Sequence, residues 1–220
     1  WLLVMTAPIL MLLAVSVAVH SALFARRPDP SQLTAFYLYL AVGGALGGMF
    51  GAVVAPLLFD WTYEHPLLKI AAALALPAVS PVRRLAELWK GGPAGERITA
   101  WGIAILLVIS LAGYGAYGLP ASRQLALIAA GLIFLVGMVA IGNRLLFAGA
   151  VAALMLSMGG WQKLALSAER GKMSRSFFGV YKVRGDSTFR MLVSGTALHG
   201  AQLRAAKYRR EPLTYYHREG

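Results

Sequence analysis

The chain has 220 residues, of which 58% are hydrophobic and only 14% are charged. This balance excludes an ordinary water-soluble globular protein and predicts an integral membrane protein with a polar appendage. Cysteine is absent, which excludes disulfides, thiolate metal sites and a cysteine nucleophile.

The first apolar segment, 1–24, is long enough to cross a bilayer. It has no basic region at its start, so we interpret it as a span and not as a cleaved signal. It also lacks an initiator Met, and we expect that the chain begins partway through a longer protein. We interpret His20, near its end, as a head-group or helix-end residue.

The segment 33–59 has 27 residues and no charge. As a helix it would reach about 40 Å, enough to cross a hydrocarbon core of about 30 Å. Glycines recur in it at four-residue spacing, which places them on one helix face. Two adjacent rows result: Gly43, Gly47 and Gly51, and beside them Gly44 and Gly48. This glycine zipper predicts a helix at the centre of the bundle, packed closely against another helix.

The next segments are less regular. The loop 60–66 holds two acids, two aromatics and a histidine, and we interpret it as solvated, with no metal site. Segment 67–79 is short for a span and could instead be re-entrant. Segment 80–90 places its apolar residues on one face and its charges on the other, which predicts an interfacial helix.

Three further apolar segments are predicted to span at 98–118, 125–141 and 145–161. Very short connections indicate that they pack side by side. If all six segments cross, the positive-inside rule places Arg26 and Arg83 in the cytoplasm and the tail opposite. If 67–79 does not cross, the tail lies on the same side as Arg26. Both topologies stay open.

After about residue 172 the pattern becomes that of β structure. Alternating residues at 177–183, a Gly-Asp-Ser-Thr loop at 185–188 and a return strand at 189–194 predict a hairpin. Residues 213–216 could add a strand. Residues 163–220 carry twelve Lys and Arg against four acidic residues. Beside a membrane, such a tail indicates anionic lipid head groups or an acidic partner protein, and not nucleic acid.

Several blocks of sequence resemble one family. They are LTAFYLYLAVGGALGGMFGAVVAPLLF at 33–59, RSFFGVYKV at 175–183, GTALHGAQ at 195–202 and PLTYYHREG at 212–220. The chain resembles bacterial membrane proteins in which a transmembrane region is fused to a spermidine synthase-like (polyamine aminopropyltransferase) domain. The resemblance implies that residues 172–220 match the small N-terminal β domain of spermidine synthases.

The resemblance also implies ligand contacts. In spermidine synthases a glutamine after the hairpin and a Tyr-His pair contact the substrates, and by resemblance these are Gln202, Tyr216 and His217. The co-substrate would be decarboxylated S-adenosylmethionine. Residues 1–220 contain neither the Gly-rich nucleotide loop nor the acidic cluster of the catalytic domain. We therefore expect no catalytic residue, no cofactor and no nucleoside binding in this chain alone.

The sequence thus predicts a mainly α, polytopic membrane bundle of about six spans at 1–165 and a small β-hairpin domain at 172–220. Two functions stay open. In one, the chain is a non-catalytic accessory subunit of a larger complex in a bacterial inner membrane, of respiratory or photosynthetic type. In the other, it is a fragment of a membrane-anchored aminopropyltransferase of polyamine biosynthesis. Its partners would be the bilayer and other membrane subunits.

Overall fold

The computed structural model describes residues 2–76, 93–118, 123–211 and 213–214. It is mainly helical, with a small antiparallel sheet near the C-terminus. The helices are α1 (Leu2–Ala25), α2 (Leu33–Met49), α3 (Ala55–Leu58), α4 (Glu64–Ala75), α5 (Pro93–Gly118), α6 (Arg123–Val139), α7 (Arg144–Met155) and α8 (Trp161–Ala168). The strands are β1 (Met173–Ser176), β2 (Gly179–Gly185), β3 (Phe189–Ser194) and β4 (Ala197–Leu203).

The chain divides into two compact units. The helical unit comprises Trp1–Ala45 and His65–Trp161, and the β unit comprises Leu46–Glu64 and Gln162–Gly220. The β unit therefore includes residues 46–64, which the sequence assigns to a helical region at 1–165. This stretch supplies half of the polar cluster described below.

Fewer helices qualify as membrane spans than the sequence predicts. Among the described residues, three are long and apolar enough to cross a bilayer: Pro30–Leu58, Pro93–Leu111 and Arg144–Ala168. Two shorter apolar helices are Leu12–Ala25 and Gln124–Val139. The predicted span at 67–79 corresponds to α4, whose 12 residues reach only about 18 Å. The predicted interfacial helix at 80–90 lies outside the described residues.

The core of the helical unit is made by α5, α6 and α7. Its fully buried residues include Leu106, Ile133 and Leu146, one from each helix. The helices approach closely because glycines face side chains across the contacts. A Cβ built on Gly102 would lie 2.7 Å from Leu146 Cδ1, and one on Gly149 would lie 3.2 Å from Ile103 Cγ1. A larger residue at either glycine would therefore require the neighbouring side chain to shift.

A polar contact fixes the start of α7. The Asn143 side chain accepts a hydrogen bond from the Leu146 N–H at 3.1 Å, as an N-cap residue does. Its amide nitrogen donates to Thr99 Oγ1 at 2.7 Å, and Thr99 Oγ1 donates to Gly95 O at 2.8 Å. One asparagine thus both caps α7 and ties it to α5.

The glycine row of α2 is uncovered. None of the residues of α2 is buried. A Cβ built on Gly43, Gly44, Gly47, Gly48 or Gly51 would meet no atom within 4 Å. The described residues therefore do not place α2 at the centre of a bundle. We still predict that a helix packs on the glycine row, and we predict that this helix belongs to a partner protein.

The helix beginning at Arg144 contains a break. Met158 and Gly159 leave the helical region, and Gly159 has φ 101°, which favours glycine. The chain becomes helical again at Trp161, where α8 begins. The break therefore separates α7 from α8.

The sheet has strand order β1-β2-β3-β4, with every neighbouring pair antiparallel. The predicted turn is confirmed: β2 ends at Gly185 and β3 begins at Phe189. Asp186 fixes it, because its carboxylate accepts from the N–H groups of Thr188 and Phe189 at 2.7 and 2.8 Å. The sheet is larger than the predicted hairpin, since β1 and β4 extend it on both sides. Of the strand suggested at 213–216, residues 213–214 are not strand and the rest lies outside the described residues.

Candidate functional site

A buried ion pair lies at the centre of the β unit. Arg175 in β1 donates from Nη1 and Nη2 to the two carboxylate oxygens of Glu64, each at 2.7 Å. Nη1 also donates to the Trp61 carbonyl at 2.9 Å. Both charged side chains are only 10% exposed. We call the Glu64–Arg175 pair, with its bond to Trp61 O, the latch.

Local structure brings the latch together. Glu64 is the first residue of α4, where a carboxylate is favoured by the helix dipole. Arg175 lies on the same sheet face as Met173, because residues two apart in a strand share a face. Met173 is buried, so this face turns toward the interior of the β unit. The latch therefore joins the sheet to the residues that follow α3.

The electrostatics explain why such a buried pair persists. Removing two charges from water is costly, and only good geometry with further hydrogen bonds offsets that cost. The two parallel bonds between guanidinium and carboxylate provide this geometry. The hydrogen bond to Glu64 raises the pKa of Arg175 above its usual value, against the opposing effect of burial. The arginine therefore stays protonated, and the latch serves structure and not proton transfer.

A second polar chain supports the latch. Ser167 Oγ donates to Asp60 Oδ1 at 2.8 Å and lies 2.6 Å from Tyr63 Oη. Because a serine hydroxyl has one hydrogen, and it is given to the carboxylate, the tyrosine hydroxyl is the donor in the second bond. Asp60 and Tyr63 are thereby tied to α8, as Glu64 is tied to β1.

Aromatic rings pack around the same loop. The rings of Trp61 and Tyr63 lie edge to face at 5.2 Å, and those of Phe59 and Tyr63 at 5.8 Å. Lys163 Nζ lies 5.9 Å from the centre of the Trp61 ring. The segment 59–64 is thus held by hydrogen bonds and ring contacts together.

The interpretation of residues 60–66 as a solvated loop is therefore wrong for its acidic residues. Glu64 is 7% exposed and Asp60 is half-buried. Sequence reasoning missed the partners because Arg175 is 111 residues away. The available signal was an arginine just before the predicted strand at 177–183, with an acidic segment elsewhere that needed a counter-ion. Among the described residues, no group of three His, Asp or Glu side chains could hold a metal ion.

Of the ligand contacts implied by the resemblance, only Gln202 is described. It lies in β4 opposite Arg190 of β3. Its amide nitrogen donates to Arg209 O at 3.1 Å. Gln202 and Arg190 line an open cavity of about 210 Å³ on the sheet, together with Val183, Met191, Leu192, Gly200 and Ala201. Tyr216 and His217 lie outside the described residues, so the substrate-binding role of the three stays a prediction.

The chain was compared with family models, with curated proteins and with solved structures. No family model, no curated protein and no solved structure matches it.

Proposed function

We propose that this chain is a membrane-integral scaffold, an accessory subunit that holds a small basic β unit at the surface of a bacterial inner membrane. The latch is the observation that carries the proposal. Its charges are engaged in joining the sheet to the residues after α3, as expected of a structural support. In this form the chain is non-catalytic.

The exposed apolar side chains support the membrane part of the proposal. On α2, Leu38, Tyr39 and Leu46 are 62%, 76% and 55% exposed. Apolar surface of this extent indicates contact with lipid or with another protein. The proposal places the three long apolar helices, and the two shorter ones, in the bilayer, with their backbone groups satisfied within each helix.

The exposed charge of the β unit supports a partner with an acidic surface. Its exposed basic residues outnumber its exposed acids, and they are Arg170, Arg184, Arg190, Arg204, Lys207, Arg209 and Arg210. Such a surface attracts acidic proteins and anionic head groups. The larger complex would be of respiratory or photosynthetic type.

A second candidate follows from the resemblance to spermidine synthase-like membrane proteins. In it, the chain is part of a membrane-anchored aminopropyltransferase, with decarboxylated S-adenosylmethionine as co-substrate. The observation that favours it is the cavity beside Gln202, where an amide and a guanidinium are available to a polar ligand.

Purification from native membranes separates the two candidates. The tagged chain should retain a stoichiometric membrane complex, and the double variant Arg209→Glu/Arg210→Glu should lose it. Arg26→Glu is the matched control outside the β unit. Calorimetric titration with decarboxylated S-adenosylmethionine should show no binding. Micromolar binding that Gln202→Ala abolishes would refute the scaffold proposal and support the second candidate.

A further inference from the structure

Two lysines meet in the β unit. Lys163 and Ser167 are four residues apart on α8 and therefore share a helix face. Ser167 Oγ lies 3.8 Å from Met173 Sδ, and Met173 is the cross-strand partner of Lys182. This geometry brings Lys163 next to Lys182, close enough for Lys163 to lower the pKa of Lys182. Both lysines are half-buried.

In the part of the chain that the structure describes, no acid forms an ion pair with either lysine. Among the described residues, no carboxylate oxygen lies within 4.0 Å of either amino group. The nearby acids have other partners, since Asp60 accepts from Ser167 and Glu64 from Arg175. Burial, the adjacent Lys163 and the charge of Arg184 together lower the pKa of Lys182 to about 8. Adjacent cations without a counter-ion favour the binding of an anion.

The position of the lysine pair indicates which anion. Two candidate spans end at Leu58 and Ala168. Asp60 lies just beyond the end of the first span, and Ser167 lies just before the end of the second. A hydrogen bond of 2.8 Å joins the two side chains. Both helices finish here with their C-terminal ends, so under the proposed function both would end at the same membrane surface. The Trp61 ring beside Lys163 is the kind of side chain enriched at head-group level.

We propose that Lys163 and Lys182 together bind the phosphate group of an anionic phospholipid, with Arg184 at the rim of the site. Three cationic donors suit a phosphate, whose oxygens are strong acceptors. The choice of a lipid rests on the proposed membrane function. Inorganic phosphate has the same chemistry, so the test must include both sources.

The test is a calorimetric titration of the whole chain in an uncharged detergent. The probes are dihexanoyl phosphatidylglycerol and, separately, inorganic phosphate. We expect saturable binding of the lipid, with Lys163→Gln and Lys182→Gln each weakening it about fivefold, the effect of one cation at a membrane surface. Lys182→Arg should bind as the wild type does. Lys207→Gln removes the same charge from the segment that follows β4, and it should leave lipid binding unchanged.

Three results would overturn the proposal. One is wild-type lipid affinity in both glutamine variants, and another is an equal loss in Lys207→Gln, which would indicate a response to net charge. The third is binding of inorganic phosphate without binding of the lipid, which would leave a phosphate site but exclude the lipid. If Lys182→Gln does not fold, Lys163→Gln and Lys182→Arg decide the question. Loss of the co-purified complex in Arg209→Glu/Arg210→Glu tests the scaffold independently.

Discussion

The helical unit and the β unit are stabilised by different chemistry. In the helical unit, glycines allow α5, α6 and α7 to pack closely, and most of the contacts are apolar, with Asn143 making the polar contact described above. In the β unit, a buried ion pair and a short chain of hydrogen bonds join segments far apart in sequence. The stability lost at an apolar contact increases gradually with the number of atoms removed. Removing one partner of a buried ion pair instead leaves the other charge with the whole free-energy cost of its burial. The β unit should therefore be far more sensitive to single polar substitutions.

The largest effect is expected for Arg175→Met. The substitution removes the guanidinium from beside the buried Glu64 carboxylate, and breaking such a pair costs about 3–5 kcal/mol. Limited proteolysis should then cleave the β unit while the helical unit stays intact. Arg190→Met, at an exposed arginine of the same sheet, is the control.

The double variant Glu64→Gln/Arg175→Met sharpens this test. Since it removes both charges, it should recover part of the lost stability. A double variant as unstable as Arg175→Met would show that packing, and not charge, makes the latch important.

A pair of glycine substitutions compares the packed and the open helices. Gly102→Leu should destabilise the helical unit by about 1–3 kcal/mol, because even a Cβ there would lie 2.7 Å from Leu146 Cδ1. Gly47→Leu should leave thermal unfolding of the purified chain unchanged, since the space beside it is open. If another subunit packs on the glycine row, Gly47→Leu should instead reduce co-purification. Equal loss of stability in both variants would contradict the comparison.

Asn143→Ala tests the polar contact within the helical unit. It removes the cap of α7 and the bond to Thr99, and we expect a loss of about 1 kcal/mol. Chemical denaturation measures it, and Asn143→Asp, which keeps the capping oxygen, should lose less. A cost as large as that of Arg175→Met would contradict the contrast between the units.

The smallest effect is expected for Lys182→Met. The folded-state pKa of about 8 lies below the usual 10.5, so the charged lysine destabilises the fold at pH below about 8. This penalty disappears as the pH rises from 8 to 10.5. The variant should therefore be more stable than wild type at pH 7, by less than about 1 kcal/mol because water screens the half-buried site. Thermal unfolding at pH 7 and pH 10 measures the difference, with Lys207→Met as the control. A gain that does not shrink at pH 10 would contradict the assignment.

Local patterns in the sequence predicted local structure well. The uncharged stretches predicted helices, and the Gly-Asp-Ser-Thr segment predicted a turn whose aspartate holds two backbone N–H groups. Contacts between distant segments could not be predicted in this way. Nothing in residues 60–64 indicates which of the chain's 21 basic residues will lie beside Glu64.

The two sets of glycines also show that local sequence patterns do not predict contacts between distant segments. Gly43 and Gly47 form a regular row and face open space, while Gly102 and Gly149 are isolated in sequence and tightly packed. Spacing shows which residues share a helix face, but it does not show what covers that face. The outcome depends on the tertiary arrangement, which the spacing of residues in the sequence does not specify.

The sequence separation of the latch sets an order for the protein's biosynthesis. Glu64 leaves the ribosome 111 residues before Arg175. At roughly 5–20 residues per second, the arginine follows on the order of 5–20 s later. The helices encoded between them are synthesised within that interval, so the latch closes only on a chain whose helical unit has already been made. Closure is therefore a late assembly step, which Arg175→Met would leave unfinished.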